Sequence, residues 1–264
     1  MVHGNIVSLV DSTGIPLNKS GFLGVVGSGG GASTQIPLTS DNFTKTGSQT
    51  GWSIDDTNEK ITFTWDRQVT VNSIWMNLAD YLGEAIGTEW NLRYHMKLDS
   101  NYSQTSGVGC YQITGLFDQD GTSASHGVAS ISGASIIAEA DQGNSKNLYC
   151  PALDGASAVE ATPYTRVPKS STTLWTANGR EGYFETIRDG NDFEFNIYTD
   201  SDYSSLYTNG SGSITGTTQT TDTIEYLWLA HNYNYSASTW NGSGDFVIDS
   251  LYFNNNSTSA GAPF

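Results

Sequence analysis

Glu89-Trp-Asn-Leu-Arg-Tyr-His-Met-Lys-Leu-Asp99 decides the fold class. Trp90, Leu92, Tyr94, Met96 and Leu98 alternate without a slip with Asn91, Arg93, His95 and Lys97. A period of two places one set of side chains on a core and the other in water, which is a β-strand, whereas a helix would scatter the apolar residues around its circumference. Arg93, His95 and Lys97 then form a basic stripe on the solvent face, suited to an acidic partner subunit.

Further strands read outward from this one. Ile61-Thr-Phe-Thr-Trp65 alternates, Val69–Leu78 is apolar and β-branched, and Val108–Phe117 runs into the turn Asp118-Gln-Asp-Gly121. Gly182–Arg188 and Asp192–Thr199 flank Asp189-Gly190-Asn191, an Asp-Gly hairpin signal; Glu185 and Arg188, beside that turn, read as surface residues. Thr223–His231 and Asp245–Phe253 follow. About ten strands joined by turns, without βαβ spacing, predict an all-β chain: an antiparallel two-sheet β-sandwich. Residues 141–181, with Pro151, Pro163 and Pro168, read as a long loop. Trp65, Trp75, Trp90 and Trp228 fall in strands and are assigned to the core. Residues 1–40, with the Gly/Ser run 27–31, read as an extended N-terminal arm, 41–254 as the sandwich, and 255–264 as a short polar tail.

The bulk composition agrees. The chain has 264 residues, enough for a sizeable core. Charged residues are only 14%, so the long exposed helix faces that Glu, Lys and Arg build are not expected. A net charge of −16, from 27 acids and 11 bases, excludes a phosphate-neutralising nucleic-acid surface and anionic membranes. No apolar run is long enough to insert in a membrane. Met1–Ser20 lacks the basic-then-apolar order of a secretory signal. That favours a virion protein, or another protein of the extracellular surface in trimmed form.

Three ordered pieces, Trp90-Asn-Leu-Arg-Tyr-His-Met-Lys-Leu98, Gly182–Tyr198 and Gly244-Asp-Phe-Val-Ile-Asp-Ser-Leu-Tyr-Phe253, resemble the strand motifs of the concanavalin A-like lectin/glucanase jelly roll, in its laminin-G-like branch. The resemblance spans residues 41–254. It implies a jelly roll and a sugar-binding or adhesive role, and fold alone does not choose between the two. The retaining glucanases of this superfamily carry E-x-D-x-x-E, which sets two carboxylates close enough to act as nucleophile and acid/base. Glu181, Glu185, Asp192 and Glu194 do not match it. The R-x-E-x-R and Q-I-H strands of alginate lyases are also missing, and His95 reads as solvated. These absences predict a chain that is not an enzyme.

Three kinds of binding feature remain. Asp118 and Asp120 stand at alternate positions of a turn and are the calcium candidates; the same residues also suit a turn for conformational reasons alone. Trp175 in the long loop, and His231, Tyr233, Tyr235, Trp240 and Asn241 between the last two strands, are glycan candidates, because aromatics outside a strand pattern are free to stack on sugar. Cys110 and Cys150 lie in β-like stretches and either bridge, if those strands are neighbours, or stand as two buried thiols. The expected role is a homo-oligomeric subunit of a virion or cell envelope, partnered by its own copies, by neighbouring subunits or by glycans. The alternatives are a secreted carbohydrate-binding lectin module and a polysaccharide-degrading jelly-roll enzyme.

Overall fold

The computed structural model describes residues 33–48, 50–65, 72–98, 103–106, 110–122, 132–140, 146–149, 152–153, 166–167, 181–206, 213–217, 223–234 and 241–258. In chain order its elements are β1 (Thr34–Gln35), β2 (Thr44–Thr46), β3 (Ser53–Asp55), β4 (Lys60–Trp65), β5 (Asn72–Asn77), α1 (Leu78–Leu82), β6 (Glu89–Leu98), β7 (Ser103–Ser106), β8 (Cys110–Phe117), β9 (Gly133–Ala140), β10 (Lys146–Tyr149), β11 (Ala152–Leu153), β12 (Arg166–Val167), β13 (Glu181–Asp189), β14 (Asp192–Tyr198), β15 (Ser213–Thr217), β16 (Tyr226–Asn234) and β17 (Asn241–Asn255). They form the predicted antiparallel sandwich.

One sheet has nine strands in the order β15-β14-β13-β6-β17-β4-β3, with β1 and β7 also pairing with β17; the other has eight, β12-β10-β9-β8-β16-β5-β2, with β11 beside β9. More strands are present than the sequence announced, because pieces of two to four residues at the edges are too short to show a period. Three of them, β10, β11 and β12, fall inside the stretch expected to be loop.

The two inner faces interdigitate. Trp90, Leu92 and Tyr94 of β6, Phe184 of β13, Phe195 of β14 and Phe246, Ile248, Leu251 and Phe253 of β17 meet Ile74 and Met76 of β5, Leu116 of β8 and Leu227 and Leu229 of β16, all buried. Tyr94 stacks on Phe184 at 5.1 Å and Phe63 on Phe246 at 5.1 Å. Each such side chain contributes about 1.5–3 kcal/mol by leaving water. Trp90 and Trp228 are buried as assigned, and Trp75 is half-buried.

The Asp-Gly signal is a two-residue hairpin: Asp189 pairs with Asp192, and Gly190 takes the left-handed conformation at φ 61° that a side chain disfavours. Residues 1–32 of the expected arm lie outside the described residues. Farther on, Thr34 and Gln35 pair with Phe253 and Tyr252, the Ile36 N–H donates to the Leu251 carbonyl at 3.0 Å, and Ile36 and Leu38 are buried in the core. Among the described residues no helix is long and apolar enough to cross a membrane.

Candidate functional site

The alternation of β6 sends Asn91, Arg93, His95 and Lys97 to the outer face of the nine-stranded sheet. Register brings Tyr183 and Ser250 beside His95, and Glu185 and Tyr252 beside Arg93; Asn196 and Tyr198 of β14 flank Glu185 and Tyr183. This face was expected in water. Instead Glu185 is 3% exposed and His95 7%. The cover is the chain after β14: Thr199 and Ser205 close a loop (N···O 2.9 Å) that lays Tyr203 on the face. Tyr203 itself is 9% exposed, at φ 52°, with its ring 4.2 Å above the Arg93 guanidinium and edge-on to Tyr183 and Tyr198.

Under Tyr203 lies a closed charge cluster. One Glu185 oxygen accepts from Asn91 Nδ2 and Arg93 Nε, each at 2.8 Å, and the other from Asn196 Nδ2 at 3.0 Å and Tyr198 Oη at 2.8 Å. Burial pushes the Glu185 carboxyl up; the bonds from Asn91, Tyr198 and Asn196, with the Arg93 charge, outweigh it, so the group titrates below the ordinary glutamate value. Burial and the bond to Glu185 drive the Tyr198 phenol far upward, and it stays neutral. The surface reading of Glu185 and Arg188 is therefore corrected: Glu185 is buried by Tyr203 and its four donors. Arg188 turns inward, donating to the Gly190 carbonyl at 2.8 Å with its guanidinium 5.6 Å from Phe193.

The other end of the face is built on a β-bulge. Between Ile248 and Ser250 the pairing of β17 with β6 slips by one residue, and the extra residue is Asp249. A bulge re-aims a side chain, and here the Asp249 carboxylate meets His95 Nδ1 at 2.6 Å. The imidazole stacks on Tyr183 at 4.4 Å, and its Nε2 lies 3.5 Å from Glu181. That Nε2 makes no hydrogen bond among the described residues, and neither does the Tyr203 hydroxyl. Burial raises the Tyr183 phenol, and Glu181, Asp249 and Asp200 raise it further. Glu181 and Asp249 keep side-chain exposures of 51% and 45%, so both carboxylates reach solvent. The expected basic stripe is corrected in turn, since Arg93 is neutralised by Glu185 and His95 stands between two acids. Chemically, this end offers hydrogen-bond acceptors, aromatic rings and an imidazole oriented by a carboxylate.

The residues picked from the sequence lie elsewhere. His231 belongs to β16 rather than to a loop, because the strand runs on to Asn234. It is 1% exposed and stacks on Trp228 at 4.5 Å, and burial pulls its pKa down to about 4. Tyr233 is also in β16, and Asn241 opens β17. Trp175, Tyr235 and Trp240 lie outside the described residues. The Asp118 carboxylate accepts from the Ser132 N–H at 2.9 Å, and the Asp120 carboxylate from the Thr122 N–H at 3.0 Å, so both hold turns of their own loop. Among the described residues no group of three His, Cys, Asp or Glu is placed to hold a metal. Cys110 opens β8; Cys150 lies outside the described residues. The outer-face residues escaped notice because strand alternation says which side a residue takes and not what covers it.

The two antiparallel sheets, with the long last strand paired to the Trp90 strand, make a jelly-roll β-sandwich. Solved structures of that fold match along most of the chain. A Bacillus licheniformis β-glucanase matches at 11% identity and TM-score 0.51, covering 86% of this chain and 99% of its own. An alginate lyase, Aly36B, in complex with an alginate tetrasaccharide, matches at 12% and 0.52 (86% and 98%). The exoplasmic/lumenal domain of VIP36 in its Ca2+/Man-bound form matches at 10% and 0.51 (84% and 89%). No family model and no curated protein sequence matches the chain. Likeness at this identity establishes the fold. It also overturns the expectation that the chain is not an enzyme: a glucanase and a lyase share the architecture as fully as a lectin does, so two missing motifs do not set this chain apart from the enzymes.

Proposed function

We propose that the protein is a carbohydrate-binding jelly-roll protein of the extracellular surface, and that its glycan lies on the outer face of the nine-stranded sheet, at the end formed by His95, Tyr183, Glu181 and Asp249. The observation that carries this reading is the Asp249 bulge. It spends a register slip on placing a half-exposed carboxylate against a histidine that is itself stacked on a tyrosine. Sugar recognition needs that combination of aromatic surface and hydrogen-bonding carboxylates. Support comes also from the neighbours, which include a mannose-bound lectin and a lyase holding an alginate chain. A glycan array probed with the native chain and with Tyr183→Ala tests it: binding by the native chain that Tyr183→Ala abolishes is expected, and full binding by the variant would move the site elsewhere.

A second reading, that the same face cleaves its glycan, is favoured by the His95–Asp249 pair, since a carboxylate that orients an imidazole prepares it for proton transfer. Release of reducing ends or unsaturated products from a polysaccharide panel, lost in His95→Gln, separates cleavage from binding. Assembly into a homo-oligomeric virion or envelope surface rests on composition and charge alone, and light scattering of the dilute protein tests it.

A further inference from the structure

We propose that the loop 199–206 is a lid on the glycan face: the Tyr203 ring occupies a sugar-ring subsite beside Tyr183 and Tyr198 and swings out to admit the ligand. The proposal deepens the glycan reading above and rests on it.

The seat is shaped for a ring. Tyr183 and Tyr198 stand directly opposite each other in the strand register. Tyr203 lies edge-on to both, at 5.8 and 5.4 Å, with the Arg93 guanidinium 4.2 Å from its ring centre. Aromatic walls with a few placed polar groups are also how a protein holds a sugar. The cluster beneath does not depend on the ring, because none of the four hydrogen bonds that Glu185 accepts comes from Tyr203. Departure of the ring would therefore leave a formed surface.

The loop itself is tied only to its own base. The Thr199 N–H donates to the Ser205 carbonyl at 2.9 Å, the Tyr203 N–H to the Asp200 carbonyl at 3.2 Å and the Ser204 N–H to the Asp200 carboxylate at 2.9 Å, and Tyr198 bridges to Leu206. Among the described residues no hydrogen bond runs from the loop to β6, β13 or β17, so ring contacts alone seat Tyr203 on the face.

Two features of Tyr203 oppose permanent closure. Its backbone stands at φ 52°, in the left-handed region that a side chain disfavours. Its hydroxyl is sealed from solvent and makes no hydrogen bond among the described residues, a loss that water makes good once the ring is out. Phenylalanine would suit a ring that never leaves. A phenol suits one that spends part of its time in water. Opening a loop with so few ties needs far less free energy than opening the strand ladder below it.

Titration calorimetry of the native chain, Tyr203→Ala and Tyr203→Phe with oligomers of glucose, of mannose and of uronate tests the proposal, together with amide hydrogen exchange of the free chains. Tyr203→Ala empties the seat, so the oligomer that the native chain binds best is expected to bind this variant at least about tenfold tighter. Tyr203→Phe keeps the ring and drops the stranded hydroxyl, which favours closure, and binding is expected to weaken by up to about fivefold. In the free native chain the Thr199, Tyr203 and Ser204 amides should exchange ahead of the β13–β14 ladder, and Tyr203→Phe should slow them. Binding by Tyr203→Ala no tighter than native, or by Tyr203→Phe no weaker, overturns the proposal while the glycan reading stands; if Tyr203→Ala does not fold, the Tyr203→Phe comparison decides. Binding of no oligomer by any of the three chains ends the glycan reading. Loop amides that exchange only together with the ladder overturn the lid whatever the glycans do.

Discussion

Replacing Glu185 by glutamine tests whether the outer face is closed or wet. The side chain accepts four hydrogen bonds, two of them at each oxygen, and one comes from a guanidinium that is 12% exposed. Glutamine keeps the shape. Whichever way its amide turns, an NH2 faces two donors, and the Arg93 charge loses its partner. Breaking a buried pair by removing one member costs about 3–5 kcal/mol, because the other charge stays desolvated. With about 2–4 °C of melting temperature per kcal/mol for a chain approaching this size, the midpoint should fall by roughly 10 °C. Urea unfolding followed by tryptophan fluorescence reads the change directly, since Trp90 and Trp228 are buried. The slope with denaturant should not move if only the native state is weakened. Arg93→Met added to Glu185→Gln removes the stranded charge and should restore part of the loss, which gives the coupling from a double-mutant cycle. A loss below about 1 kcal/mol for Glu185→Gln would match an exposed ion pair. It would refute the claim that Tyr203 seals the cluster.

Stability should also fall with acid through His231. Burial holds its folded pKa at about 4, whereas the unfolded ring protonates near 6.5, so the unfolded state binds the extra proton and stability is lost as pH drops from 6.5 to about 4. At about 1.4 kcal/mol per pH unit this amounts to about 3 kcal/mol, and His231→Gln should flatten that part of a stability–pH curve. Below that range the depressed Glu185 contributes a further loss: its stabilisation is complete above the unfolded glutamate pKa and disappears as pH falls through the folded one. Tyr203→Phe, which removes only the unpartnered hydroxyl, should be neutral or stabilising by up to about 1 kcal/mol in thermal unfolding. Gly121→Ala should cost about 1–3 kcal/mol, since a Cβ there would stand 2.2 Å from Trp75 Cδ1 and 2.5 Å from Ser73 Oγ; unchanged unfolding would mean that the loop over β5 yields freely.

The fold was legible because its central strands are long and one-sided. β6 carries four apolar core residues on one face, and β13 and β14 are closed by an Asp-Gly turn whose glycine takes φ 61°. Short edge pieces such as β11 and β12 show no period at all. A phase slip was also present in the letters of the last strand: Phe246 and Ile248 keep one parity, while Leu251 and Phe253 keep the other. Such a slip signals a bulge, and the residue squeezed out is Asp249. Read in that way, Gly244–Phe253 would have marked Asp249 as a side chain aimed on purpose. The turn at Asp118–Gly121 gave no such help, because Asp and Gly serve a cation loop and a plain turn equally well.

Concealment of the polar face has a different cause. The side opposite the core is solvent only while nothing crosses it, and the crossing residue, Tyr203, comes eight strands after β6 in the chain, in a loop whose sequence carries no signal of where it folds. Once it is in place, the face divides by exposure, the Glu185 side chain at 4% against 51% for Glu181 and 45% for Asp249. Around Glu185 each carboxylate oxygen accepts two hydrogen bonds, so that carboxylate acts as structure. At the other end His95 stands between Glu181 and Asp249, whose side chains stay half-exposed. The half-exposed end is therefore where the hydroxyl groups of a glycan would meet acceptors, and the closed end is what holds that surface rigid while they do.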